Sequence, residues 1–181
     1  MPIGTVDDVK QFLRKEGNAE DGVLQLLLDG VSEQLEGEIG SAIAPVQLTE
    51  YAQTRALMGL VMRNAVIEIL SVTEGVTSLT TSQYRIDGRI LERLSTDGYA
   101  MPWPSNEVAV VYRAGFQPIP ADLKMAAVVQ TAFGYRQTKG GGDRLGLAAN
   151  SPSEGGEAVS FVAYDLLPDV ARTTRRYRSF Y

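Results

Sequence analysis

The chain has no cysteine and no histidine. Without cysteine there are no disulfides, no thiol nucleophile and no thiolate metal site. Without histidine the chain lacks the commonest general base and the commonest metal ligand. Serine–histidine–aspartate and cysteine–histidine catalysis are excluded, and what chemistry remains rests on carboxylates, lysine, tyrosine or backbone. Long apolar runs are missing too: no stretch approaches the roughly 18 apolar residues of a membrane span. The start, Met1 to Thr5, lacks the basic and apolar regions of a signal peptide, so cytosolic folding is expected. The 181 residues suffice for one domain with a buried core. A net charge of −5 gives the whole molecule no electrostatic reason to hold phosphates.

What is present begins with helix signals. Thr5 is placed to cap, Asp7 and Asp8 fall in the first turn, and Val6, Val9, Phe12 and Leu13 recur at helical spacing until Gly17 and Asn18 end the pattern. A longer helix is expected from about Glu20 to Ile39. Its stripe is Leu24, Leu27, Leu28, Val31, Leu35 and Ile39, with Glu33, Glu36 and Glu38 mostly off it. The two make a helical hairpin.

After Gly40 short strand-like runs follow: 46–51, 56–63, 66–73, 84–86 and 89–94. Asp87-Gly88 is the strongest hairpin signal. Leu57, Leu60, Val61, Asn64, Ile67 and Glu68 also form a partial helical stripe, but two strands with a turn near Asn64 are expected. Val108 to Arg113 is β-branched and aromatic, suiting a half-buried pleated surface. Gly115 permits a positive φ, and Pro118 and Pro120 keep their predecessors extended, so the strand stops there. Pro120 then stands at or before the first turn of a helix over about 121–137, with Asp122 at the positive end of its dipole. That helix carries Ala126, Ala127, Ala132 and Gly134, with bulk from Leu123, Val129 and Phe133.

Residues 139–156, rich in glycine, serine, asparagine and alanine, read as a mobile loop. The glycines at 140–142 lack the spacing of a phosphate-binding loop. A short strand is expected at 159–164, and Leu166 to Val170 opens a last helix with Pro168 in its first turn. Residues 165–181 hold four arginines against two aspartates, with Tyr177, Phe180 and Tyr181 interleaved. An amphipathic helix with a solvated basic face, nucleic-acid contact through arginine and stacking, and docking on a protein partner are all compatible with this tail. Docking is the reading favoured. The acidic clusters Asp7/Asp8, Glu20/Asp21 and Glu33/Glu36/Glu38 read as caps and solvated faces, and no cofactor or metal is expected.

The order of these features resembles the tailed-bacteriophage head–tail connector (adaptor) family. The likeness rests on the strand, Gly115, Pro118, Pro120 and Ala121-Asp122-Leu123-Lys124, with a helix reaching Tyr135-Arg136. It is shared by Val9-Lys10-Gln11-Phe12-Leu13-Arg14, by Ile39-Gly40, and by Leu167-Pro168-Asp169-Val170 with Tyr177-Arg178. The resemblance implies a structural virion protein of the neck between capsid and tail, assembled in the host cytoplasm. It implies a ring of about a dozen copies on the portal protein, extending the DNA channel and offering a platform to a stopper or tail-completion protein. DNA would pass through the lumen without specific binding, and no membrane is involved. Portal docking is then expected from Arg172, Arg175, Arg176, Tyr177, Arg178, Phe180 and Tyr181, and subunit packing from Leu123, Ala126, Ala127 and Phe133. A head-closure or tail-completion protein of the same stack is the alternative; a carboxylate-dependent enzyme and a DNA-binding accessory protein are further ones.

The expected fold is α+β: a small helical bundle with an antiparallel β unit inserted at about 46–113. Residues 1–164 are expected to form one adaptor domain, with the mobile loop at about 139–157, and residues 165–181 a docking helix and tail.

Overall fold

The computed structural model describes residues 2–54, 56–104, 107–139, 147–153, 156–161 and 166–178. The fold is α+β, with four α-helices and antiparallel sheets among the described residues. The chain forms two compact units, Ile39–Pro120 and a second built from Pro2–Glu38 with Ala121–Tyr177. Among the described residues no helix is long and apolar enough to cross a membrane.

The first helix, α1 (Val6–Leu13), starts as its sequence dictates. The Thr5 side chain accepts from the Asp8 N–H at 3.1 Å while Asp8 accepts from the Thr5 N–H at 2.9 Å, a reciprocal capping box. Helix α2 (Asp21–Ile39) buries Leu24, Leu28, Leu35 and Ile39 of the expected stripe, with Ser32 beside them, while Leu27 and Val31 are half-buried. Ser32 does not sit unpaired: its hydroxyl donates to the Leu28 carbonyl at 2.7 Å and accepts from the Ile3 N–H at 3.1 Å. Helix α3 (Ala121–Lys139) starts directly after Pro120 and runs two residues beyond the expected end. Leu123, Ala126, Ala127, Val128 and Ala132 are buried along it. Helix α4 (Pro168–Tyr177) has Pro168 in its first turn, as expected.

The β unit holds strands β1 (Val46–Gln53), β2 (Gly59–Val61), β3 (Val66–Glu74), β4 (Thr77–Ser78), β5 (Tyr84–Asp87), β6 (Ile90–Leu94), β7 (Ala100–Met101) and β8 (Glu107–Ala114). One sheet has the order β1-β8-β3-β4; the other has β2-β6-β5, with β7 also on β6. The ambiguous 56–70 segment is resolved as two strands, β2 and β3, with the break around Asn64. Strand β8 is central, and its Val108, Val110, Tyr112 and Ala114 are buried at strict period two. They pack with Leu60, Met62, Val72, Leu79, Leu91 and Trp103 in one core.

Two turns carry this unit. Between β5 and β6 the partners are Asp87 and Ile90, so the two-residue loop is Gly88-Arg89, one position later than the sequence signal. Gly88 has φ 58°, the conformation such hairpin loops require. Arg89 then donates to the Met62 carbonyl at 2.9 and 2.7 Å, holding the end of β2. At the other turn, Gly115 has φ 108°, and a Cβ there would stand 2.6 Å from the Ala44 carbonyl oxygen.

A buried polar chain crosses the first sheet. The Tyr112 hydroxyl donates to Glu50 at 2.9 Å and accepts from Asn64 Nδ2 at 3.1 Å; Asn64 Oδ1 accepts from the Ala42 N–H at 2.9 Å. Glu50 also accepts from the Arg63 N–H. Burial, reinforced by the Glu50 carboxylate, pushes the Tyr112 phenol up to about 12.

The segment read as a loop over 139–156 includes a strand. β9 (Leu147–Ser153) pairs with β10 (Gly156–Phe161) in an antiparallel ribbon. Backbone pairing needs no apolar pattern, which is why composition missed it; the glycines at 140–142 lie outside the described residues.

Candidate functional site

Helix α4 separates its faces cleanly. Val170 and Thr174 are buried and Tyr177 is half-buried, at spacings of four and three that place them on one side. The start is tied by the Leu167 N–H donating to Gln130 Oε1 at 3.0 Å, the end by the Tyr177 hydroxyl donating to Asp122 Oδ1 at 2.7 Å. That bond to a carboxylate raises the Tyr177 phenol above its ordinary value. Arg172, Arg175, Arg176 and Arg178 are all exposed. Arg172 approaches Asp169 at 3.5 Å and Arg176 approaches Asp122 at 3.6 Å. The first of these pairs is so solvated that it contributes little to stability. A guanidinium presents planar, bidentate donors that match carboxylate geometry, and Arg172, Arg175 and Arg176 carry three of them on the exposed side of α4. Thus Arg172, Arg175 and Arg176 lie on the exposed side of α4 and Arg178 is exposed just beyond it, whereas Tyr177 serves the inner face. Phe180 and Tyr181 lie outside the described residues.

The residues expected to pack subunits lie on α3. Leu123 and Ala127 are fully buried and Ala126 nearly so within the chain's own helical unit. Phe133 is half-buried. The small side chains of α3 let its own neighbours approach closely: a Cβ on Gly134 would meet the Leu27 side chain at 3.8 Å.

Phe12, one of the residues at helical spacing in α1, is 44% exposed, and Met125 on α3 is 55% exposed. Together with Ala121 and Val128 they line a cavity of about 390 Å³ whose polar rim is Asp8, Gln11 and Lys124. Lys124 pairs with Asp8 at 2.9 Å. The Thr5 hydrogen bond, aided by Lys124, holds the Asp8 carboxyl below its usual value. Nearby, Lys15 lies 4.6 Å above the ring centre of Tyr135, whose hydroxyl bonds Glu20. These contacts tie α1, and the segment between α1 and α2, to α3. Met125 was legible only as a residue off the Leu123–Val129–Phe133 set.

The protein-family model described as "Head completion protein" matches residues 2–180. No curated protein matches the chain. Among solved structures, a chain of the "Neck of empty GTA particle computed with C6 symmetry" is similar at TM-score 0.60 and 17% identity, covering 97% of this chain and 89% of that one. A chain of the "Virion of native gene transfer agent (GTA) particle" gives TM-score 0.63 at 16% identity, with 97% and 89% covered. A chain of the "Neck of native GTA particle computed with C12 symmetry" gives 0.61 at 16%, with 97% and 88% covered. At these identities the likeness is one of fold.

Proposed function

Since the chain belongs to the head completion protein family, we propose that it is a structural component of the neck, between head and tail of a phage or gene-transfer-agent particle. The observation that carries this reading is the family match across nearly the whole chain. Shared fold with chains of two solved necks and a virion supports it. The match favours the head-completion alternative over the adaptor role that the sequence resemblance implied. An enzymatic role draws no support from either source.

The finer reading is a ring on the portal vertex that closes the head and continues the DNA channel. Sixfold and twelvefold symmetry in the similar necks supports a ring of copies. The basic outer face of α4 is its docking surface for an acidic neck partner, the portal protein first. Each contact is weak alone and is multiplied around the ring by effective concentration. The acidic balance of the rest of the chain suits a lumen that DNA crosses without binding.

Removing residues 165–181 is a poor test, because Val170 and Thr174 belong to the helical core. The cleaner experiment mixes portal protein from the same genome with the wild-type chain or with Arg172→Glu/Arg175→Glu, read by mass photometry. Stoichiometric addition to the portal ring, lost in the variant, is expected. Equal binding by both forms sinks the α4 assignment, and no binding by either removes the portal as partner.

A further inference from the structure

The first sheet of the β unit ends in two edges of unlike character. On one side β4 has only two residues, and the remainder of β3 is broken by register shifts between Val66 and Glu68 and between Ile69 and Ser71. Short strands and bulges are the devices that keep an edge from pairing with strangers. On the other side β1 has eight residues in unbroken register with β8, from Val46 opposite Ala114 to Gln53 opposite Glu107. It has no other strand neighbour among the described residues. No lysine, proline or bulge guards it, and its single charge, Glu50, is engaged by Tyr112 and the Arg63 N–H. Beside this edge is a cleft of about 440 Å³ bordered by Tyr51, Leu60, Val61 and Val110. Tyr51 and Val61 are each 70% exposed.

The ribbon β9–β10 has the complementary deficiency. Among the described residues its two strands pair only with each other, and a lone two-stranded ribbon is marginal in water. Strand β9 contains Pro152, which cannot donate to a further ladder. Strand β10 has no proline and, at six residues, fits within the length of β1.

We infer that β10 of one copy adds to the β1 edge of a neighbouring copy, so that a sheet continues across the subunit boundary. Each copy then gives one strand and receives one, which leaves neither edge unsatisfied. Such a head-to-tail contact is heterologous, the kind of contact that builds a ring when its rotation closes. A foreign strand on β1 would leave β10 without a third strand, so a second copy is the occupant that satisfies both. The inference rests on the ring reading for the identity of that partner.

The chain's lack of cysteine makes the test clean. Full-length Gln47→Cys, Thr49→Cys and Tyr51→Cys are each mixed with full-length Ala158→Cys, assembled and oxidised, with Val76→Cys as an exposed control. Heterodisulfides several-fold above that control are expected in at least one register. In parallel, Tyr51→Lys, on the exposed face, is expected to weaken ring assembly at least tenfold with unchanged Trp103 emission. Rings by mass photometry without any heterodisulfide overturn strand exchange while leaving the ring reading intact. Strand exchange is equally overturned if Thr49→Cys/Ala158→Cys in one chain closes only within itself. Failure of the wild-type chain to form rings, alone or on heads, overturns both.

Discussion

Tyr177, in the last turn of α4, donates its hydroxyl to Asp122, in the first turn of α3, at 2.7 Å. Asp122 sits where the dipole of α3 favours negative charge, and Arg176 approaches its second oxygen at 3.6 Å. The basic face of α4 is therefore oriented by a contact that uses none of Arg172, Arg175 or Arg178.

Tyr177→Phe tests that arrangement. Losing one partly exposed hydrogen bond costs about 1 kcal/mol, lowering Tm by roughly 2–4 °C for a chain of this size. Hydrogen exchange is expected to quicken across α4 and not across the β unit. Arg172→Ala, by contrast, is expected to change stability by less than about 0.5 kcal/mol.

Gly115→Ala is expected to be among the most damaging single-methyl changes. It forces a φ of 108° on an L side chain and drives Cβ to 2.6 Å from the Ala44 carbonyl oxygen. Backbone strain of about 1–3 kcal/mol adds to an overpacking cost of similar size. Denaturant midpoints, followed by the emission of the fully buried Trp103, provide the measure.

Tyr112 carries an alkaline signature. Its phenol moves from 10.0 to about 12 because burial, then Glu50, disfavours the phenolate. The raised value means its contribution is complete below pH 10.0 and is lost as pH rises through about 12. Tyrosinate absorbance of the folded protein is expected to show one late-titrating group, absent in Tyr112→Phe. That variant also leaves Asn64 Nδ2 and Glu50 short of a partner, at a cost of about 1–3 kcal/mol.

Asp8 predicts an acid limb. Its depressed value, from the Thr5 hydrogen bond and then Lys124, gives a contribution present above 3.8 and lost as pH falls through the folded value. Thr5→Ala removes the cap at a cost of about 0.5–2 kcal/mol and is expected to flatten the stability-versus-pH curve in that acid range. An unchanged curve would show that the capping box does not set the Asp8 titration.

Local chemistry was legible residue by residue. Thr5 and Asp8 mark the start of α1, Pro120 the start of α3, and Gly115 the end of β8, because each acts through its own dihedrals and nearest backbone groups. The α+β class followed from apolar spacing, β-branched runs and turn residues, and the start of α4 from Pro168. The Gly88 turn was found, displaced by one residue, since a two-residue loop is chosen jointly with the register of both strands.

Other outcomes depended on what lies far along the chain. Ala126 and Ala127 signal close packing from sequence, but only the assembled bundle shows that the packing is internal. Phe12 fits an inner stripe by spacing yet borders an open cavity with Met125. Strand β1 meets β8 across more than fifty intervening residues, and nothing local in either strand names that partner. Sequence by itself therefore determined where elements begin, stop and turn, because dihedral preference and capping act over a few residues. Only the tertiary structure decided which faces are spent on the core and which edge stays open, because burial and strand pairing are properties of segments brought together by the whole fold.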